Sequence, residues 1–101
     1  MTFTEEELAA VDEAAHAVVR EAKDAGVFVF AGGLKDHEEA SMVATEGTIT
    51  DGSHPERKQF LGGLTIVDVP SREEALEWAA KFAVACRCAQ EVREFLFDPA
   101  V

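Results

Sequence analysis

Apolar residues recur at helical spacing from Leu8 onward, at Val11, Ala15, Val18, Val19 and Ala22, and form one stripe on an otherwise charged segment. Thr4 before Glu5, Glu6 and Glu7 supplies a capping hydroxyl, a capping-box glutamate and an acidic first turn that suits the helix dipole. Gly26 ends the pattern as a C-terminal cap glycine does. The pattern predicts a first helix over Thr4–Ala25. The period then changes. "GVFVFAGGL" is a short, bulky run, Val27–Phe30, closed by Gly32 and Gly33, and reads as a strand buried on both faces. "KDHEEA" is a polar connection, and "SMVATEGTITDG" predicts a hairpin with arms Met42–Glu46 and Thr48–Thr50 and Gly47 near its tip. A further strand runs from Gly63 to Val69 and stops at Pro70. Ser71 caps a second helix whose apolar face is Ala75, Leu76, Ala79, Phe82, Ala83 and Cys86. "AQEVREFLF" alternates loosely through Val92, Phe95 and Phe97, and predicts a closing strand.

The order helix, strand, hairpin, strand, helix, strand is an α+β plan, with helices expected on one face of a mainly antiparallel sheet. The unit from Leu64 to Phe97 is expected to cross over right-handed. With 101 residues there is room for a single domain, spanning 1–101, and a domain that small gains stability by burying surface against a copy of itself. Hydrophobic residues make up 48% of the chain, enough for a packed core. Against 9 basic residues stand 20 acidic ones, a formal charge of -11. That balance repels nucleic-acid phosphates and anionic lipid, so neither is an expected partner. The start of the chain lacks a basic and apolar leader and no later run is long enough to span a bilayer, which points to a cytoplasmic protein.

The stretch "TDGSHPERKQFLGG", Thr50–Gly63, gathers the candidate chemistry. Asp51-Gly52 is a turn signal, and Pro55 biases His54 toward an extended backbone. His54 titrates near neutrality and suits proton transfer. Arg57 and Lys58 suit an anionic or carbonyl-bearing ligand; equally, they offset an acidic surface on a solvated loop. Gly62 and Gly63 allow close approach of a ligand, or of a neighbouring strand. Asp68 interrupts an apolar strand, facing a site or marking the strand's end. His16 flanks the stripe of the first helix. Trp78 reads as a core or dimer contact. Cys86 and Cys88 are separated by one residue and no Cys/His cluster surrounds them, so they read as ordinary reduced thiols, with no metal or cofactor expected. Nucleophilic catalysis has no motif in its favour.

Taken in order, "TDGSHPERKQFLGGLTIVDVPSREEALEWAAKF" resembles the DGPF-type proteins of the YCII-related family. Asp51, Gly52, Lys58, Leu61, Gly62, Gly63, Asp68, Val69, Glu74, Ala75, Glu77, Trp78 and Ala79 stand where that pattern has them, and "AKDAGVFVFAGGL" is similar to its first helix end and following strand. The resemblance implies a ferredoxin-like sheet with two helices, paired into a dimeric α+β barrel. It also implies a homodimer that binds a small molecule or runs a minor reaction; the residues themselves make His54, His16 and Asp51 the catalytic candidates, His54 as proton shuttle with Asp51 orienting it. Arg57, Lys58, Gly62, Gly63 and Asp68 would be the ligand-binding candidates. The alternative it implies is a non-catalytic interaction module associated with transcription regulation. Four departures stand out. Ser53-His54 replaces the namesake Pro-Phe. The family's first-helix histidine falls at Ala15 rather than His16, and Ala80 and Phe82 occupy the neighbourhood of an acidic partner in the second helix. The usual strand before the first helix is missing.

Overall fold

The computed structural model describes residues 3–35, 37–51 and 62–101. Two helices and four strands follow in the order α1 (Glu5–Asp24), β1 (Phe28–Gly33), β2 (Ser41–Val43), β3 (Ile49–Asp51), β4 (Gly63–Val67) and α2 (Arg72–Cys86), with a short 3-10 turn at His37–Glu39. This is an α+β chain of the ferredoxin-like type. Phe3 and Thr4, the described residues ahead of α1, hold no strand. The strands form two antiparallel pairs, β1 with β4 and β2 with β3, and no barrel closes among the described residues. The chain divides into two compact units, one of Met1–Phe28 with Val67–Val101, the other of Val29–Ile66.

In the first unit the helix ends are set by local chemistry. The Glu7 N–H donates to Thr4 Oγ1 at 3.1 Å and the Thr4 N–H donates to Glu7 Oε1 at 3.3 Å, so two orphan donors are satisfied reciprocally. At the other end Gly26 takes φ 76, and Val27 donates back to the Ala22 carbonyl at 3.1 Å. Only a glycine adopts that left-handed cap without cost. The Glu74 N–H donates to Ser71 Oγ at 3.2 Å and starts α2. Its end is less usual: Arg87, not glycine, is left-handed at φ 56, with its N–H and that of Cys88 both directed to the Ala83 carbonyl. α1 and α2 pack on each other, and the buried apolar side chains are Ala22 of α1 with Phe82 and Ala85 of α2.

The second unit holds the strand pairs. In the hairpin Ser41 faces Asp51, Met42 faces Thr50 and Val43 faces Ile49, and Gly47 at φ 93 makes the tip. Along β1 and β4 the partners run in opposite directions: Leu34 donates to the Gly62 carbonyl at 2.8 Å, while Gly63 lies against Gly32 and Gly33. A Cβ on Gly63 would stand 2.7 Å from the Gly32 oxygen and 3.1 Å from Gly33 Cα, whereas one on Gly62 meets nothing within 4 Å. The obstacles at Gly63 are backbone atoms, so the strands must part to admit a methyl. Gly63→Ala is expected to lower stability by about 1–3 kcal/mol, the usual cost of overpacking. Gly62→Ala should be near neutral, and the urea midpoints of the pair decide the matter.

Two expectations fail. β1 extends through Gly32 and Gly33 and is not buried on both faces: Val29 and Phe30 are 55% and 56% exposed. A bulky run shows what a strand would bury, but burial needs a covering layer. The closing strand over Val92–Phe97 is absent, and with it the right-handed crossover; residues 88–98 carry no regular structure. Phe95, Leu96 and Phe97 are 75%, 94% and 92% exposed. Alternation supplies the side chains of a strand, and only a neighbour's N–H and C=O groups supply its ladder.

Candidate functional site

β2 and β3 deliver Asp51 to the end of the hairpin, opposite Ser41, whose hydroxyl donates to Asp51 Oδ1 at 3.4 Å. The carboxylate that the sequence suggests for orienting a histidine therefore has a partner of its own in the ladder. Gly62 leads into β4, and the space at Gly63 is filled by the backbone of β1. These three belong to one unit. His54, Arg57 and Lys58 lie outside the described residues.

His16 and Asp68 belong to the other unit. His16 is exposed on α1, while Ala15, at the position of the family's helix histidine, is half-buried. One residue turns a side chain by about 100° around a helix, and that rotation carries His16 to the solvent side. Asp68 lies just past β4 and is exposed; its N–H donates to the Val27 carbonyl at 2.8 Å. It terminates the strand instead of interrupting it, so no buried carboxylate has to be neutralised there.

The helix pair carries a feature that the sequence reading missed. Ala14, Ala17, Val18 and Glu21 of α1 and Ala80, Lys81, Val84 and Ala85 of α2 line an apolar trough of about 540 Å³. Lys81 pairs with Glu21 at its polar edge, and the same ammonium lies 5.1 Å from the centre of the half-buried Trp78 ring, a cation–π contact. A second contact of that kind places Lys23 over Phe28 at 5.3 Å. The signal for the trough was the run of alanines facing each other across the helices. None of the described candidates read from the sequence lines it. Among the described residues no group of three or more histidine, cysteine or carboxylate side chains is arranged to hold a metal ion. No described helix is long and apolar enough to cross a membrane.

The paired helices and antiparallel strands define a small α+β protein of ferredoxin-like type. The model of the YCII-related domain matches residues 2–95, and the chain belongs to that family. No curated protein matches it.

Proposed function

We propose that the protein is a cytoplasmic homodimer, of the DGPF type within its family, that binds a small anionic or carbonyl-bearing molecule in a histidine-containing pocket. One observation carries this reading. Val29, Phe30, Leu34, Met42, Val43, Ile49 and Leu64 all lie in the unit Val29–Ile66, and each is between 42% and 68% exposed. That is apolar surface a second copy would cover, and the same stretch of chain contains His54, Arg57 and Lys58. Covering those strand faces in a chain whose same stretch carries two cations and an imidazole would supply apolar walls and a few polar groups, the usual make-up of a ligand site. His54 is the candidate for proton transfer if the ligand is turned over. Arg57 and Lys58 provide the counter-charge, and Asp51, Gly62 and Gly63 flank the segment in the chain.

The test is a thermal-shift screen with small carboxylates and phenols. A ligand present at about 100 times its Kd should add about 2.7 kcal/mol to the wild type. His54→Ala and Lys58→Ala should lose most of the shift. A ligand that stabilises all three proteins alike would put the site elsewhere.

A second reading has its own support. Phe95, Leu96 and Phe97 form an apolar stretch in the other unit, and exposed apolar surface of that kind marks protein contacts. An interaction module in transcription regulation would use it. Phe95→Ser/Phe97→Ser would then abolish capture of the regulatory partner while leaving small-ligand shifts unchanged.

A further inference from the structure

α2 ends in a corner with two sulfurs on it. Cys86 is the last residue of the helix, Arg87 turns left-handed, and Cys88 follows directly. Both amides after Cys86 are tied to the Ala83 carbonyl, so the corner is fixed by the backbone. Side chains hold it as well. The Arg87 guanidinium lies 3.7 Å from the Glu7 carboxylate, and Gln90 Nε2 lies 3.4 Å from both the sulfur and the carbonyl oxygen of Cys88. Both cysteines are free, Cys86 half-buried and Cys88 exposed. The two sulfurs feel each other: burial, then the neighbouring charge of Cys88, then that of Asp12 push the Cys86 thiol up. A disulfide across a single residue is strained, so the pair is held as a dithiol.

We propose that Cys86 and Cys88 form a chelating site for copper(I). The number of donors selects the ion. Zinc takes four ligands in a closed site, and no group of three or more histidine, cysteine or carboxylate side chains stands ready among the described residues. Copper(I) is soft, prefers thiolates, and is content with two of them in a linear arrangement. One sulfur reaches solvent and captures the ion; the half-buried one completes the chelate and shields it. The acidic surface, at formal charge -11, raises the local concentration of cations. Binding releases the thiol protons to solvent and changes no oxidation state.

The experiment uses the whole reduced protein under nitrogen, with copper(I) presented in its coloured bathocuproine disulfonate complex. The wild type is expected to withdraw one copper(I) per chain. Cys86→Ser and Cys88→Ser should each weaken binding on the order of 100-fold or more, since each removes the second, intramolecular donor. Cys88 is exposed, so Cys88→Ser should keep its helical circular dichroism and separate lost ligation from lost fold. The proposal is overturned if the wild type leaves the coloured complex intact, or if either single-cysteine variant binds as tightly. Saturation at half an equivalent per chain also overturns it, because the ion would then bridge two copies.

Discussion

Phe82→Ala should collapse the stability of the helix pair. Phe82 is 6% exposed, and its buried companions, Ala22 and Ala85, are small. Most of the side-chain area that holds α1 to α2 from the inside is therefore this one ring. Truncating a buried phenylalanine costs about 3–5 kcal/mol, the lost transfer energy plus the cavity left behind. A whole domain is stable by only about 5–15 kcal/mol, and small domains lie toward the lower end. The variant is expected to be partly unfolded at room temperature, with its urea midpoint close to zero by helical circular dichroism and by Trp78 fluorescence. Val84, two residues along on the opposite side of the same helix, is 80% exposed, and Val84→Ala should change stability by less than about 0.5 kcal/mol. If the two variants unfold at the same midpoint, the helix pair is held by something other than Phe82.

That contrast shows what was legible in the sequence. Whatever depends on a few neighbouring residues could be read directly. Thr4 with Glu7, Gly26, Gly47 and Ser71 each satisfy a local backbone need, and the helices and hairpin follow from them. Phe82 was visible as part of a helical stripe. What depends on a distant neighbour was not legible. The run Val27–Phe30 looks the same whether or not a layer covers it, and Val29 and Phe30 are left more than half exposed. Val92–Phe97 has a strand's side chains without a strand's hydrogen-bonding neighbour. The glycine pair announced a close approach but not which residue makes it; the backbone of β1 makes it at Gly63 and leaves Gly62 open. The candidate site divides along the same line. Asp51 was read as part of a turn, whereas it is the last residue of β3, and its bond to Ser41 comes from the register of the hairpin. His16 was separated from the family's position by one residue, and the helix geometry turns that single step into exposure.

Val43→Lys/Ile49→Lys should convert the proposed dimer into a monomer. The two residues face each other across β2 and β3, so they project from the same side of the hairpin. They are 64% and 68% exposed within one chain, so lysines there cost the isolated fold little. At a contact between copies both ammonium groups would lose water without gaining a partner, which costs about 2–5 kcal/mol per group in such settings. The dissociation constant should rise by about 100-fold or more. The sign of the new charge makes the result easier to interpret. Each copy carries a formal charge of -11, so four added positive charges per dimer weaken the long-range repulsion between copies. A monomer obtained against that trend reports the loss of an apolar contact. The wild type should respond to salt for the same reason, its dimer tightening from 0.05 to about 0.5 M as screening shortens the reach of the repulsion. Light scattering across a dilution series reads both effects. A wild type that has the mass of one chain at every concentration and salt would remove the second copy, and the pocket it closes would go with it.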